Sequence, residues 1–181
     1  MQDSTFLLRK KHQMSQHLFF HLLKPPMTKF PSKYKNDSSL SSGFSFIKAY
    51  NLWHKKVKER LKVIELTHPQ FVVLATIGYL CQHHREVKQI DISKNSNIDV
   101  MTLSTIISRL EKSELIERKK SRRDPRAKVV TLTNEGSNKL QKAVPLVEQV
   151  DNEFFGKLDI QNETFNLLLL ELIKKNSENL S

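Results

Sequence analysis

The sequence predicts a mainly α-helical protein with a small β-wing: a winged helix-turn-helix domain whose N- and C-terminal helices form a dimerisation domain. Three observations predict it. From Gly43 onward, apolar residues recur at three- and four-residue spacing through most of the chain. Two short β-prone runs, 115–119 and 128–132, flank the arginine-rich loop Lys120-Ser-Arg-Arg-Asp-Pro-Arg-Ala127. The apolar face of the C-terminal segment is wider than one small core needs, which suggests a subunit interface.

The first element spans about 44–64, where Phe44, Ile47, Tyr50, Trp53 or His54, Val57 and Leu61 share a helical face. The next starts at a well-marked boundary. Thr67 is an N-cap, Gln70 closes a capping box, and Leu66 and Phe71 supply a hydrophobic staple. Pro69 suits the first turn, where its missing N–H is not needed. The run Phe71 to Leu80 is apolar on nearly all sides, which predicts a central helix buried all round, with Cys81 a buried structural residue at its end.

A short helix at about 91–96 follows, then a tight turn at Asn97, a residue that tolerates positive φ. Asp99 caps the helix 100–112. Leu103, Ile106, Ile107 and Leu110 form its buried face. Met101, Thr105, Ser108 and Lys112 form the opposite one, flanked by Thr102, Ser104 and Arg109. After the hairpin, Thr133 caps a helix at about 134–156 that Pro145 should kink. The last helix, about 161–178, places Phe165, Leu168, Leu169, Leu172 and Ile173 on one face, with Leu167 and Leu170 widening it.

Residues 1–43 differ in character. Lysines and arginines sit among His, Ser, Asn and Pro, and three prolines break any long helix. The segment reads as a flexible basic extension with a short helix near 14–23, and Met27 is an alternative start. The domain proper is expected at 44–181. Its central lobe covers about 67–133, and its dimerisation helices about 44–64 and 134–180.

Composition narrows the function. The 181 residues carry a formal net charge of +11 and a pI of about 9.8. That excess favours an anionic partner, nucleic acid before an acidic membrane surface. The single cysteine rules out an intramolecular disulfide and a multi-cysteine zinc site, and fits a reducing cytoplasm. No apolar run approaches the ~18 residues that span a bilayer, so no membrane role is expected. The short run Leu18 to Leu23 contains His21 and leads into Lys24-Pro25-Pro26, unlike a signal peptide. With four glycines, no phosphate-cradling loop, no Ser-His-Asp order and no recognisable pair of carboxylates, an enzyme is not expected, nor is a cofactor. The histidines His54, His68, His83 and His84 offer no i, i+4 pair with a carboxylate, so no metal site is assigned.

Two helices joined by a tight turn form a helix-turn-helix, whose second helix lies in the major groove of double-stranded DNA. Hydroxyls of Thr and Ser exchange hydrogen bonds with base edges, and Met101 can pack on a thymine methyl. A loop bearing Arg122, Arg123 and Arg126, with Lys128 at its exit, suits the minor groove, where arginine is favoured. Asp124 is expected to hold Arg126 or Arg123 in a bidentate pair. Tyr50, Trp53, His54, Phe71 and Tyr79 are candidates to line a ligand pocket. Two other readings stay open on these residues: an architectural or RNA-associated basic module without a specific operator, and a winged-helix module acting through protein partners.

Leu66-Thr-His-Pro-Gln70, Leu110-Glu-Lys-Ser-Glu-Leu-Ile-Glu-Arg118, Asp124-Pro-Arg-Ala-Lys128 and Leu132-Thr-Asn-Glu-Gly136 stand in the order and spacing of the multiple antibiotic resistance regulator (MarR) family. Together they make the chain from about 44 to 178 resemble that family. The resemblance implies a homodimeric winged helix-turn-helix repressor on a pseudopalindromic site, with the terminal helices forming the dimer. It also implies that the helix 100–112 reads the major groove and that Arg126 enters the minor groove. A small, often aromatic or phenolic, acid bound between the lobes would release the DNA. Glu114 stands where the family usually has glycine. A left-handed residue other than glycine costs about 1–2 kcal/mol, so that helix end is expected to be shaped differently. Asn97 replaces a second usual glycine at lower cost.

Overall fold

The computed structural model describes residues 30–121 and 126–177. The described residues fall into two units, one up to Ile47 and one from Lys48 onward. In the first, Asp37 caps a single 3-10 turn, Ser38–Leu40, by accepting from the Ser39 backbone N–H at 2.8 Å and the Ser39 hydroxyl at 2.7 Å. The polar run 36–42, expected to be flexible, thus has local structure supplied by its own side chains. The short helix expected at 14–23 lies outside the described residues.

Helix α1 (Ser42–Lys62) buries only Val57 and Leu61, both towards its end. Phe44, Ile47 and Tyr50, expected on the same buried face, are exposed. Helix α2 (His68–His83) starts with the capping box: the Thr67 and Gln70 side chains each accept from the other's backbone N–H, at 3.0 and 3.4 Å. It packs against α3 (Gln89–Ser96), α4 (Val100–Lys112), the second strand and α5 (Asn134–Phe155). Val73, Leu74, Ile77 and Leu80 carry this packing. Burial of α2 on all sides is not what the structure shows. Tyr79 is 56% exposed and Cys81 is exposed, while the other residues from Phe71 to Leu80 are buried or half-buried.

Between α3 and α4, Asn97 takes a left-handed conformation (φ 54°), and Asp99 then caps α4 through the Thr102 N–H at 2.9 Å. Leu103, Ile106, Ile107 and Leu110 are the buried residues of α4. Its C-terminus departs from expectation. Glu114 adopts φ 56° although it is not glycine. The N–H groups of Glu114 and Leu115 donate to the carbonyls of Glu111 and Leu110 at 3.0 Å each. That is the Schellman arrangement, so the helix ends in the shape a glycine would give and Glu114 carries the strain.

Strands β1 (Ile116–Lys120) and β2 (Lys128–Leu132) pair antiparallel, with Ile116 opposite Leu132 and Lys120 opposite Lys128. Thr133 links the wing to α5. Its hydroxyl accepts from the Gly136 N–H at 2.9 Å and donates to the Glu114 carbonyl at 2.6 Å. Gly136 makes this junction fit, since a Cβ there would lie 1.8 Å from the Leu115 carbonyl oxygen. Helix α5 continues on both sides of Pro145. A 3-10 segment, Gly156–Gln161, leads to α6 (Asn162–Ser177), which has no buried residue within the chain. No helix among the described residues is long and apolar enough to cross a membrane.

Candidate nucleic-acid interface

The face of α4 turned away from the core is polar and open. Met101 is 80% exposed, and Thr102, Thr105, Ser108 and Arg109 are exposed too, while Ser104 is half-buried. The i, i+3, i+4, i+7 set that fills the core forces this outcome: with one stripe buried, the remaining positions must face outward. The Thr105 hydroxyl donates to the Met101 carbonyl at 3.3 Å, which leaves its oxygen able to accept. Hydrogen bonds from the Thr102 hydroxyl and backbone N–H hold the Asp99 carboxylate below its ordinary pKa. The cap therefore stays ionised and engaged at neutral pH.

The wing is tied to this helix by charge. Arg118 on β1 donates through Nε to Glu111 Oε2 at 2.9 Å, and its second nitrogen donates to the same oxygen. The Arg118 hydrogen bond pulls the Glu111 pKa down, and Glu111 in turn raises that of Arg118. Lys119 pairs with Glu117 on the same strand. Arg126 and Lys128, at the far side of the loop, are exposed. Arg122, Arg123 and Asp124, and with them the expected Asp124 pairing, lie outside the described residues.

The candidate pocket residues divide. Tyr50 and His54 stack at 5.1 Å between centroids, Tyr50 lies 6.0 Å from Trp53, and all of these reach Phe71 through His68. His68 sits 4.8 Å from His54 and edge-on to Trp53 at 5.3 Å. Tyr79 is not in this group; it contacts His83 at 4.7 Å on the exposed side of α2. Trp53 Nε1 donates to Asp151 Oδ1 on α5 at 2.7 Å, anchoring α1 to α5. Beside the cluster opens a cleft of about 440 Å3 whose lining includes His54, Lys58, Lys62, Glu65 and His68. Burial, and then the neighbouring His54, lowers the His68 pKa from 6.5 to about 4. His68 is thus neutral at pH 7, able to donate from one nitrogen and accept at the other.

Residues 66–128 match the model of the MarR family. Over 134 residues the chain is 36% identical to the uncharacterized HTH-type transcriptional regulator YdcH of Bacillus subtilis, covering 74% of this chain and 90% of that protein. The chain belongs to the MarR family. It is a DNA-binding transcriptional regulator. Among solved MarR-family structures, it superposes on BpsR of Bordetella bronchiseptica with a TM-score of 0.67 at 26% identity, covering 76% of this chain and 95% of that one. A cysteine-to-serine mutant of Escherichia coli MarR, complexed with operator DNA, matches with a TM-score of 0.66 at 20% identity, over 78% and 98% of the two chains. This second likeness speaks to the winged-helix fold alone.

Two residues of this MarR-family chain stand differently from their sequence reading. Cys81 is exposed, not a core residue, and its thiol pKa is raised by partial burial, which keeps it protonated and poorly nucleophilic. By sequence alone His68 is one of four histidines without metal-ligand spacing, whereas the fold makes it the hub of the aromatic cluster. The signal for that was positional: a histidine directly after a helix cap sits at the corner between two helices.

Proposed function

We propose that this protein is a homodimeric repressor that binds a pseudopalindromic operator. Helix α4 enters the major groove and the wing the minor groove. The observation that carries the reading is the exposed face of α4, where Met101, Thr102, Thr105, Ser108 and Arg109 stand beside a hairpin rich in lysine and arginine. Such a face has little reason to be ordered and basic unless it meets a polyanion. Ser104 completes the reading set. On the wing, Arg126 is the minor-groove probe, and its sequence neighbours Arg122, Arg123, Asp124 and Lys128 complete the set of wing contacts.

The dimer is supported by what one chain leaves bare. Helix α6 exposes Leu167, Leu168, Leu170, Leu172 and Ile173. Near its start, a cleft of about 700 Å3 is floored by Leu52, Phe154, Phe155, Leu158 and Phe165. Apolar surface of this extent is uncommon on a monomer, and a second copy would cover it. In this scheme residues of about 67–133 are the DNA-binding lobe, the helices of about 44–64 and 134–180 build the dimer, and the protein works in the cytoplasm by binding alone. BpsR is a protein whose DNA binding is regulated by 6-hydroxynicotinic acid. By analogy, the cleft beside Tyr50, Trp53, His54, His68 and Phe71 is where a small aromatic or phenolic acid would act, with Lys58 and Lys62 facing its carboxylate.

Selection of bound duplexes from a random pool tests the reading. The expected product is a two-fold symmetric site with half-sites about 10 base pairs apart, preferred over scrambled duplex by ~10³ or more at fixed salt. Equal binding to scrambled duplex would instead favour an architectural or RNA-associated role.

A further inference from the structure

The root of the wing holds a buried polar contact that the groove-reading residues do not account for. Ser121 follows the last residue of β1 and is only 6% exposed. Its N–H donates to the Ala127 carbonyl at 2.9 Å, closing the hairpin where the loop departs. Its hydroxyl donates to Glu86 Oε2 at 2.6 Å. Glu86 belongs to neither strand; it lies on the link between α2 and α3. That link runs alongside β2, where the Val130 N–H donates to the Val87 carbonyl at 2.8 Å and Lys88 bridges to Val129. The hairpin root is therefore held from a third side. Glu86 reaches past β2 to the end of β1, and α3, the first helix of the helix-turn-helix, begins three residues later.

The sign of the charge makes this position informative. In sequence, Lys119 and Lys120 stand before residues 122–125 and Arg126 and Lys128 after them. A carboxylate at the hairpin root lowers the local positive potential and, by field alone, weakens attraction to DNA. A residue that works against general affinity yet accepts a short, partly buried hydroxyl bond has a geometric role. An ionised acceptor makes that bond stronger than a neutral one would.

We propose that Glu86 is a positioning residue of the wing: through Ser121 it sets the direction in which the loop after β1 leaves the hairpin, and so governs sequence-specific affinity. This rests on the reading of the wing as a DNA-contacting element. Phosphate attraction tolerates a loosely aimed loop, but insertion into one groove at a fixed register does not.

The test uses the full chain, a duplex that the wild type selects from a random pool, and a scrambled duplex of equal length and composition at the same salt. Glu86→Ala and Ser121→Ala are each expected to lose about tenfold of the preference for the selected duplex, the size of one degraded contact. Glu86→Ala, having shed a negative charge, should hold the scrambled duplex as tightly as wild type or more so. Glu86→Gln keeps an acceptor oxygen for the Ser121 hydroxyl and should retain the preference within about threefold. Wild-type preference in both alanine variants would overturn the proposal, as would identical behaviour of Glu86→Ala and Glu86→Gln, which would reduce Glu86 to its charge. Should Ser121→Ala melt early, the two Glu86 variants decide alone. If the wild type itself shows no preference, the operator reading fails and takes this role with it; if the wild type shows one and the alanine variants keep it, this role alone fails.

Discussion

Two glycines show how differently one atom is tolerated. At Gly78 an added Cβ would crowd the end of the Leu140 side chain, at 2.6 Å, which can turn aside, and would lie in ordinary contact with that of Leu132, at 3.6 Å. At Gly136 it would meet a backbone carbonyl at 1.8 Å, at the junction between the end of α4 and the start of α5. Gly136→Ala is expected to cost about 3 kcal/mol in chemical denaturation, since backbone must move. Gly78→Ala should stay within about 1 kcal/mol of wild type, because the gain in helix propensity offsets the crowding. Equal losses would mean that the α4–α5 junction is not tight. The second residue is His68, with a pKa lowered from 6.5 to about 4 by burial and then by His54. The unfolded chain takes up this proton near pH 6.5, the folded chain only near 4. Between those values the unfolded state binds more protons, so stability falls as pH drops from 6.5 towards 4 and is fully present above 6.5. His68 is half-exposed, and after allowance for solvent screening the loss should be about 1–2 kcal/mol. Unfolding followed through Trp53, which stacks edge-on to His68, should show this slope in the wild type and a flatter one in His68→Gln. Parallel slopes would assign the pH dependence elsewhere.

Elements were legible in proportion to how local their causes are. The Thr67–Gln70 box, the Asp99 cap and the four buried residues of α4 depend on neighbours within one or two turns, and all stand as the sequence predicts. The shape of the end of α4 is not legible locally, because the usual glycine is absent. Glu114 takes the left-handed conformation regardless, with the Thr133 hydroxyl bound to its carbonyl and the following helix locked against it. Tertiary contacts there outweigh a local cost of about 1–2 kcal/mol. For α6 the apolar excess is visible in the sequence, but not that no residue of it is fully buried within the chain. If a second copy covers it, Leu168→Asp combined with Leu172→Asp should shift the protein to monomer in sedimentation equilibrium at micromolar concentration. Operator affinity should fall at least about tenfold, as one half-site is lost. A dimer unchanged by both charges would place the seam on another surface.

At the scale of the whole molecule, the prediction concerns one arginine among many. Arg126→Ala should weaken operator binding by at least ~1 kcal/mol at fixed salt, with a reduced salt slope. Thr105→Ala should change the preference between operator variants more than it changes nonspecific affinity. Unchanged binding in Arg126→Ala would remove the wing from the mechanism. Equal loss on all duplexes in Thr105→Ala would demote that residue to a backbone contact.

The sequence by itself determined which segments are helices, where most of them start, which face of α4 turns outward and which loop is most basic. These follow from periodicity, caps and charge, which act over a few residues. The tertiary structure alone decided the rest. It brought His68 against His54 and Trp53, separated Tyr79 from that cluster, left Cys81 exposed, and set Glu86 against Ser121, 35 positions along the chain. Each of these depends on how helices and strands distant in sequence pack together, and side-chain periodicity along one element carries no information about its neighbour's register.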